Sequence, residues 1–218
     1  MARITWDQTG ERYFESGVSH GVLYPMAANG TYGAGVAWNG LTGVNNSPDG
    51  ADPNELWADN IKYAVLRSAE NLKLTIEAYT FPDEFYACDG MVSPSGMTGV
   101  VFGQQKRQSF GFCYRTEVGS DADNKLGYKL HLVYGCTASP SDKDYSTIND
   151  NPDAITFSWE VDTIPVDVDG MEPVAEVVID STKVDATKLS ALEAMLYGDS
   201  GSASLPLPSA IMTMFSGT

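Results

Sequence analysis

The chain has few cations and few of the residues on which most catalytic sites depend. Its 218 residues include 13 Lys and Arg against 29 Asp and Glu, which gives a formal net charge of −16 at pH 7. Nucleic-acid binding needs Lys or Arg to replace the counterions of the phosphates, so a surface that grips DNA or RNA is not expected. The two histidines, His20 and His131, lie outside any nucleophile motif such as Gly-x-Ser-x-Gly. We therefore expect the chain not to be an enzyme.

Membrane, disulfide, metal and cofactor signals are also missing. No run of about eighteen apolar residues occurs and the N-terminus has no signal-like apolar stretch, so neither membrane insertion nor export is expected. The three cysteines are far apart and odd in number, which favours reduced, partly buried thiols. The acidic pairs Asp121/Asp123 and Asp167/Asp169 do not continue as a calcium loop, and solvated loop acids are the favoured interpretation. No zinc spacing or phosphate-binding loop is present, and no cofactor is expected.

Aromatic and turn residues are plentiful and predict a mostly β protein. The chain has 23 aromatic residues (8 Phe, 11 Tyr, 4 Trp), 21 Gly and 11 Pro, which suit half-buried strands separated by turns. Three runs alternate apolar and other residues with period two. Their apolar positions are Phe110, Phe112 and Tyr114; Tyr128, Leu130, Leu132 and Tyr134; and Ile155, Phe157, Trp159 and Val161.

The most distinctive strand signal covers residues 61–81 and follows a polar stretch. One strand of that length would reach about 70 Å at 3.3 Å per residue, so we expect it to bend, bulge or project from the body. Its first part, residues 62–70, has a short helix as the alternative. Residues 45–60 are rich in Asn, Asp, Pro and Gly and predict a long polar loop that contacts another molecule. The candidate contact residues are Pro48, Asp49, Asp52, Asn54 and Trp57.

Helical signals are confined to the middle and the C-terminal part. Residues 82–88 predict one or two turns of helix. A longer helix is indicated by Asp185 as N-cap, an apolar stripe at Leu189, Leu192 and Leu196, and Gly198 just after the end. After a polar hinge, residues 205–215 form an apolar tail, which needs a groove on its own subunit or on a neighbour.

Acidic residues are concentrated between positions 142 and 185, with twelve acids against two lysines. An acidic face on a sheet maintains solubility, and this is the simplest interpretation. If several copies closed that face into a channel, it would repel nucleic acid from the wall. Two strands carry polar residues on one side: Lys73, Thr75 and Glu77 on the first, and Thr156, Ser158, Glu160 and Asp162 on the second.

Four segments together carry a resemblance to a known family. They are YAVLRSAENLKLTIEAYTFPDEF at 63–85, GFCYR at 111–115, LSALEAMLYG at 189–198 and LPLP at 205–208. In this order, after a glycine-rich start and a long polar loop, the chain resembles the major tail tube proteins of long-tailed, siphovirus-like bacteriophages. The resemblance covers most of the chain.

The resemblance implies a mostly β fold, a sandwich or barrel with a long β-hairpin and one flanking α-helix, that assembles into hexameric rings. It implies one tail-tube domain at 1–198, with an N-terminal arm at about 1–30 and an inter-ring loop at about 45–60, followed by a C-terminal arm at 199–218. Stacked rings would form a tube in the virion, assembled in the host cytoplasm. Phage DNA would pass through it without specific binding. Under this resemblance we expect the two polar strand sides to include the channel-facing positions, namely Lys73, Thr75, Glu77, Thr156, Ser158, Glu160 and Asp162.

Expected partners are further copies of the chain, a tape-measure protein, and tail terminator and distal tail proteins. The alternative is a β-sandwich that binds carbohydrate or a cell surface, or a head-decoration protein. Such a protein would remain discrete, whereas a tube subunit would polymerise.

Overall fold

A computed structural model describes residues 3–50, 53–66, 70–148, 153–199 and 201–216. Strands hold 41% and helices 12% of the residues, which confirms the prediction of a mostly β protein. Within the described ranges the elements are β1 (Tyr13–Pro25), β2 (Val36–Trp38), β3 (Leu41–Asp49), β4 (Asn54–Ala58), β5 (Ile61–Leu66), β6 (Asn71–Ala78), α1 (Phe85–Cys88), β7 (Phe110–Ser120), β8 (Gly127–Ala138), β9 (Phe157–Asp162), β10 (Glu176–Asp180), α2 (Ala186–Tyr197) and α3 (Pro208–Phe215).

The main antiparallel sheet is divided into two halves by a bend in β8. Its strand order is β2-β1-β7-β8-β9-β6-β3, and β10 also pairs with β8. The first part of β8 pairs with β10, whereas its end pairs with β9 at Thr137 and Ala138. Gly135 lies between these parts with φ 61°, and a Cβ there would stand 2.2 Å from the Ile164 carbonyl oxygen. Glycine is needed at the bend, and the two halves enclose a core in a β-sandwich-like arrangement.

An aromatic cluster fills the space between the two halves. Trp38 comes from β2 in the first half and Trp159 from β9 in the second, and their ring centroids are 5.5 Å apart. Phe85 of α1 lies 4.5 Å from the Trp38 ring and 5.1 Å from the Trp159 ring. All three side chains are buried, and burying a side chain of this size contributes about 1.5–3 kcal/mol. The short helix predicted from position 82 begins at Phe85 and closes one side of this core.

The other face of the first half is covered by α2, as the sequence predicts. The Asp185 carboxylate accepts hydrogen bonds from two backbone N–H groups of the first turn, and Gly198 ends the helix in the left-handed conformation at φ 79°. Leu189, Leu192 and Leu196 are buried against the sheet. The predicted caps and apolar stripe are confirmed.

The C-terminal tail adds a second helix to this layer, which the expectation of one flanking helix did not include. Leu205 precedes α3 and Ile211 lies in it, and both are buried in the same core as α2. The Tyr134 hydroxyl fixes the chain before α3 by donating a hydrogen bond to the Pro206 carbonyl oxygen at 2.9 Å. The apolar tail therefore packs in a groove of its own subunit, which is one of the two alternatives given above.

Residues 41–78 contain a long hairpin in place of the polar loop and single run expected from the sequence. β3 pairs with β6 from Leu41 to Asp49, and β4 pairs with β5 farther along the hairpin. The turn between β4 and β5 is Asp59-Asn60, with φ 50° and 63°, the left-handed pair that suits a two-residue hairpin turn. The prediction of a loop over 45–60 was therefore wrong for most of that range.

The helix alternative for residues 62–70 was wrong where the structure describes that segment, because residues 62–66 belong to β5. Residues 67–69 lie outside the described ranges. Pro48 explains why β3 was missed, since proline rarely occupies a central strand. β3 is the last strand of the sheet order, and such an edge position tolerates the missing N–H group.

Candidate functional site

A polar sheet surface is formed by alternate residues of β3, β6 and β9. On β6, Lys73, Thr75 and Glu77 alternate with the buried Leu74 and Ile76. We call this surface the outer face; its members on the three strands are Asn45, Ser47, Asp49, Lys73, Thr75, Glu77, Ser158, Glu160 and Asp162.

Cross-strand pairing brings six of the seven predicted channel-facing residues together. Lys73 pairs with Asp162, Thr75 with Glu160, and Glu77 with Ser158. The seventh, Thr156, is exposed but precedes β9 and has no place in this pairing. No helix covers the outer face within the described residues, because α2 and α3 pack on the first half of the sheet. Whether the outer face lines a channel stays a prediction.

The outer face carries four carboxylates and one ammonium group, hence three net negative charges. The Lys73 ammonium lies 2.8 Å from an Asp49 carboxylate oxygen and 3.9 Å from one of Asp162. The hydrogen bond from Lys73 lowers the pKa of Asp49, and the same bond raises the pKa of Lys73. Both groups are solvent-exposed, so salt screens the pair. The single cation is held by acids of the same face, which leaves the remaining carboxylates in excess.

β4 and β5 form a small two-stranded sheet that we call the distal hairpin. Every residue of β4 is exposed. The pairs Leu56–Ala64 and Ala58–Ile61 place apolar residues on one side of it, and Leu56 and Ile61 are 39% and 61% exposed. The opposite side carries the ion pair between Glu55 and Lys62 together with the exposed Trp57 and Val65. An isolated two-stranded hairpin is marginally stable in water, so its apolar side is a candidate contact surface.

The predicted inter-ring residues lie in two strands of the hairpin rather than in one loop. Pro48 and Asp49 end β3, whereas Asn54 and Trp57 belong to β4. Trp57 is 64% exposed, on the side opposite Leu56. Asp52 lies outside the described residues. A contact role for these residues stays a prediction.

A polar cluster that sequence reasoning did not assemble connects the hairpin to β10. The Asn46 side-chain amide donates to both carboxylate oxygens of Glu176 at 3.2 and 3.3 Å. His131 Nδ1 lies 2.9 Å from Glu176 Oε1, and its Nε2 lies 3.2 Å from Thr116 Oγ1. Burial, followed by the Glu176 charge, raises the pKa of Tyr114. The cluster ties β3 to the first half of the sheet.

The His131 ring packs against an aromatic ring and contacts two polar side chains. It stacks on the Tyr114 ring with centroids 4.5 Å apart and an interplanar angle of 4°. Its chain of contacts to Thr116 and Glu176 has the order of a nucleophile, base and orienter, but the parallel stack fills one side of the imidazole. The other histidine, His20, is exposed and lies 2.9 Å from Ser19 Oγ through Nδ1.

The thiols and acids give no metal site in the part of the chain that the structure describes. Cys88, Cys113 and Cys136 are free and buried, as predicted, and burial raises the pKa of both Cys88 and Cys113 to about 12. Among the described residues no group of three or more His, Cys, Asp and Glu is placed to hold a metal ion. The described helices are also too short or too polar to cross a membrane.

Fold and surfaces together define an antiparallel, β-sandwich-like protein with an uncovered acidic sheet face and a projecting apolar hairpin. Comparison with models of known protein families and with curated proteins found no match to the chain.

Proposed function

We propose that this protein is the major tail tube subunit of a siphovirus-like bacteriophage. Copies would form hexameric rings that stack into a hollow tube, through which phage DNA passes into the host. The observation that carries the proposal is the outer face, an acidic three-strand surface that no described helix covers, two of whose strands, β3 and β6, lead to the distal hairpin.

The chemistry of the outer face suits a conduit. DNA slides along a wall that does not hold it, and carboxylates repel phosphates whereas Lys and Arg bind them. The ammonium of Lys73 is engaged by Asp49 and Asp162, so it is a weak phosphate anchor. Repetition of this surface around a ring would give a lumen of uniform negative charge.

The distal hairpin supports self-assembly. Exposure of its apolar side to water is unfavourable. Burial of this side against a partner would contribute a favourable free energy of about 25 cal/mol per Å² of apolar surface. The β4 and β5 strands contribute nothing to either buried core. A hairpin with no packing role in its own subunit is suited to contact the next ring.

The remaining partners and the location follow from the same proposal. A tape-measure protein would occupy the lumen during assembly, and tail terminator and distal tail proteins would cap the tube. The protein would be a virion component assembled in the host cytoplasm. These assignments derive from the resemblance rather than from any surface described above.

Negative-stain electron microscopy of concentrated protein tests the proposal. We expect hollow filaments of constant diameter for the natural sequence and for Lys62→Ser, which changes the charged side of the distal hairpin. Ile61→Ser on the apolar side should stop filament formation and leave a folded monomer, as judged by circular dichroism. Discrete monomers of the natural sequence under all conditions, combined with binding to a glycan array, would instead indicate the carbohydrate-binding alternative.

A further inference from the structure

The N-terminal segment 3–6 exposes two large apolar side chains. Ile4 is 71% and Trp6 74% exposed. The next residues are fixed to the turn between β7 and β8, because an Asp121 carboxylate oxygen accepts hydrogen bonds from the N–H groups of Gly10 at 2.9 Å and Arg12 at 3.4 Å. The chain therefore holds the segment at its base and leaves its apolar residues without a contact that buries them.

An apolar groove lies beside α3 on the same chain. It has a volume of about 310 Å³ and lies between the loop 163–175 and the start of α3. Its lining is apolar except for Glu176, whose carboxylate is already engaged by Asn46 and His131. Met171 and Met212 on its margin are 61% and 43% exposed. Methionine adapts its shape and makes favourable sulfur–aromatic contacts, so this groove suits an indole ring.

The charges of the segment and the groove are complementary. The segment contains Arg3 and no acid, with Asp7 following at its base, whereas the loop 163–175 contains Asp167, Asp169 and Glu172 and no Lys or Arg. All three of these loop acids are exposed. In an extended segment, alternate side chains point to the same side. Ile4 and Trp6 would enter the groove together, and Arg3 would remain at its acidic margin.

We propose that segment 3–6 of one copy binds in the groove beside α3 of a second copy. Two different surfaces of the chain then meet, which is a heterologous contact, and repetition of such a contact produces a closed ring or an open filament. This inference deepens the proposed function, on which it rests for the repeating assembly. The contact itself requires only two copies.

Two variants, each with one added surface cysteine, test this contact. The three natural cysteines are buried and therefore do not compete for a thiol reagent. Thr5→Cys protein is mixed with Met212→Cys protein at high concentration and treated with a short thiol-reactive crosslinker. We expect a covalent dimer between the two variants. Thr5→Cys mixed with Met97→Cys is the matched control, because Met97 is 50% exposed and does not line the groove.

Charge exchange provides the second readout. Arg3→Glu in the Thr5→Cys chain should lower the dimer yield several-fold, and Asp169→Lys in the Met212→Cys chain should restore it. An equal yield with the Met97 control, or no effect of Arg3→Glu in protein that circular dichroism shows to be folded, overturns the contact. The Thr5→Cys, Met212→Cys double variant distinguishes binding within one chain from binding between two chains. If the double variant gives a crosslinked monomer and the mixture of the two variants gives no dimer, the segment occupies the groove of its own chain, which overturns the contact between copies.

Failure of this contact is distinguishable from failure of the proposed function. Filaments in the microscope without the Thr5–Met212 crosslink would refute the contact and leave the tube function standing. A crosslinked mixture that forms only discrete particles would support the contact and refute the tube function.

Discussion

The Asn46 side-chain amide on β3 donates to both carboxylate oxygens of Glu176 on β10, 130 positions away in the sequence. A hydrogen bond to a charged group contributes about 1.5–3 kcal/mol, and His131 remains as a partner of Glu176 when Asn46 is removed. Asn46→Ala should therefore lower the free energy of unfolding by about 1–3 kcal/mol, measured by urea titration. Asn45→Ala, on the exposed outer face, is the control and should change it by less than about 0.5 kcal/mol. Equal effects would contradict the tie between β3 and β10.

The two buried tryptophans of the aromatic cluster should respond differently to phenylalanine. The Trp38 indole N–H donates to the Thr80 carbonyl oxygen at 2.9 Å, whereas the Trp159 indole N–H is buried without a partner among the described residues. Both substitutions leave a void of the same size, but only Trp38→Phe removes a hydrogen bond. We expect Trp159→Phe to destabilise less, by about 1 kcal/mol, in chemical unfolding. A larger loss for Trp159→Phe would contradict this assignment.

The N-cap of α2 gives a pH-dependent prediction. Hydrogen bonds from the backbone N–H groups of Lys188 and then Thr187 lower the pKa of Asp185. A carboxyl group whose pKa is lower in the folded state adds stability above its unfolded pKa, and this stability is lost as the pH falls through the folded pKa. Asp185→Ala should therefore lower Tm by on the order of a few degrees at pH 7. The difference from the natural sequence should shrink below about pH 4 in scanning calorimetry; a difference independent of pH would contradict the capping role.

Charge reversal on the outer face tests its proposed position in the lumen. Glu160→Lys replaces a carboxylate with a phosphate-binding group, so assembled tubes should retain DNA, and this retention should fall steeply with salt. Glu84→Lys makes the same change at an exposed position outside the outer face and is the matched control. Retention is measured by nuclease protection of DNA incubated with tubes.

A reconstruction of the assembled tube tests the same assignment directly. It should place Glu160 and Asp162 toward the axis. Side chains of these residues on the outside of the tube, or equal DNA retention by the two lysine variants, would remove the lumen assignment.

Elements with both local and periodic signals were predictable from the sequence. The helix α2 has a capping aspartate, a leucine stripe and a terminal glycine, and each acts within a few residues. The strand β6 alternates buried Leu74 and Ile76 with polar neighbours, so the composition of its polar side could be read directly. The cross-strand partners of that side follow from pairing with β9, which only the structure provides.

Elements whose stability comes from distant contacts were missed. The end of β3 consists of polar residues and Pro48, and it is a strand because β6 pairs along its length. The helix α3 is short and almost wholly apolar, so no periodicity separates it from a buried strand. The Asn46–Glu176 contact joins positions with no relation in sequence, and no single-chain pattern could indicate it.

The two pairing regions of β8, on either side of its bend, also constrain the order in which the subunit can complete its fold. The hairpin strands β3 to β6 leave the ribosome before β7, and much earlier than β9, the strand that pairs with β6. β8 can acquire both of its later partners, β9 and β10, only after most of the chain has been made. Nascent chains therefore expose the apolar residues of the hairpin strands before the sheet that supports them exists. For the tube subunit proposed above, polysomes translating this chain would be the setting that most favours premature association between copies.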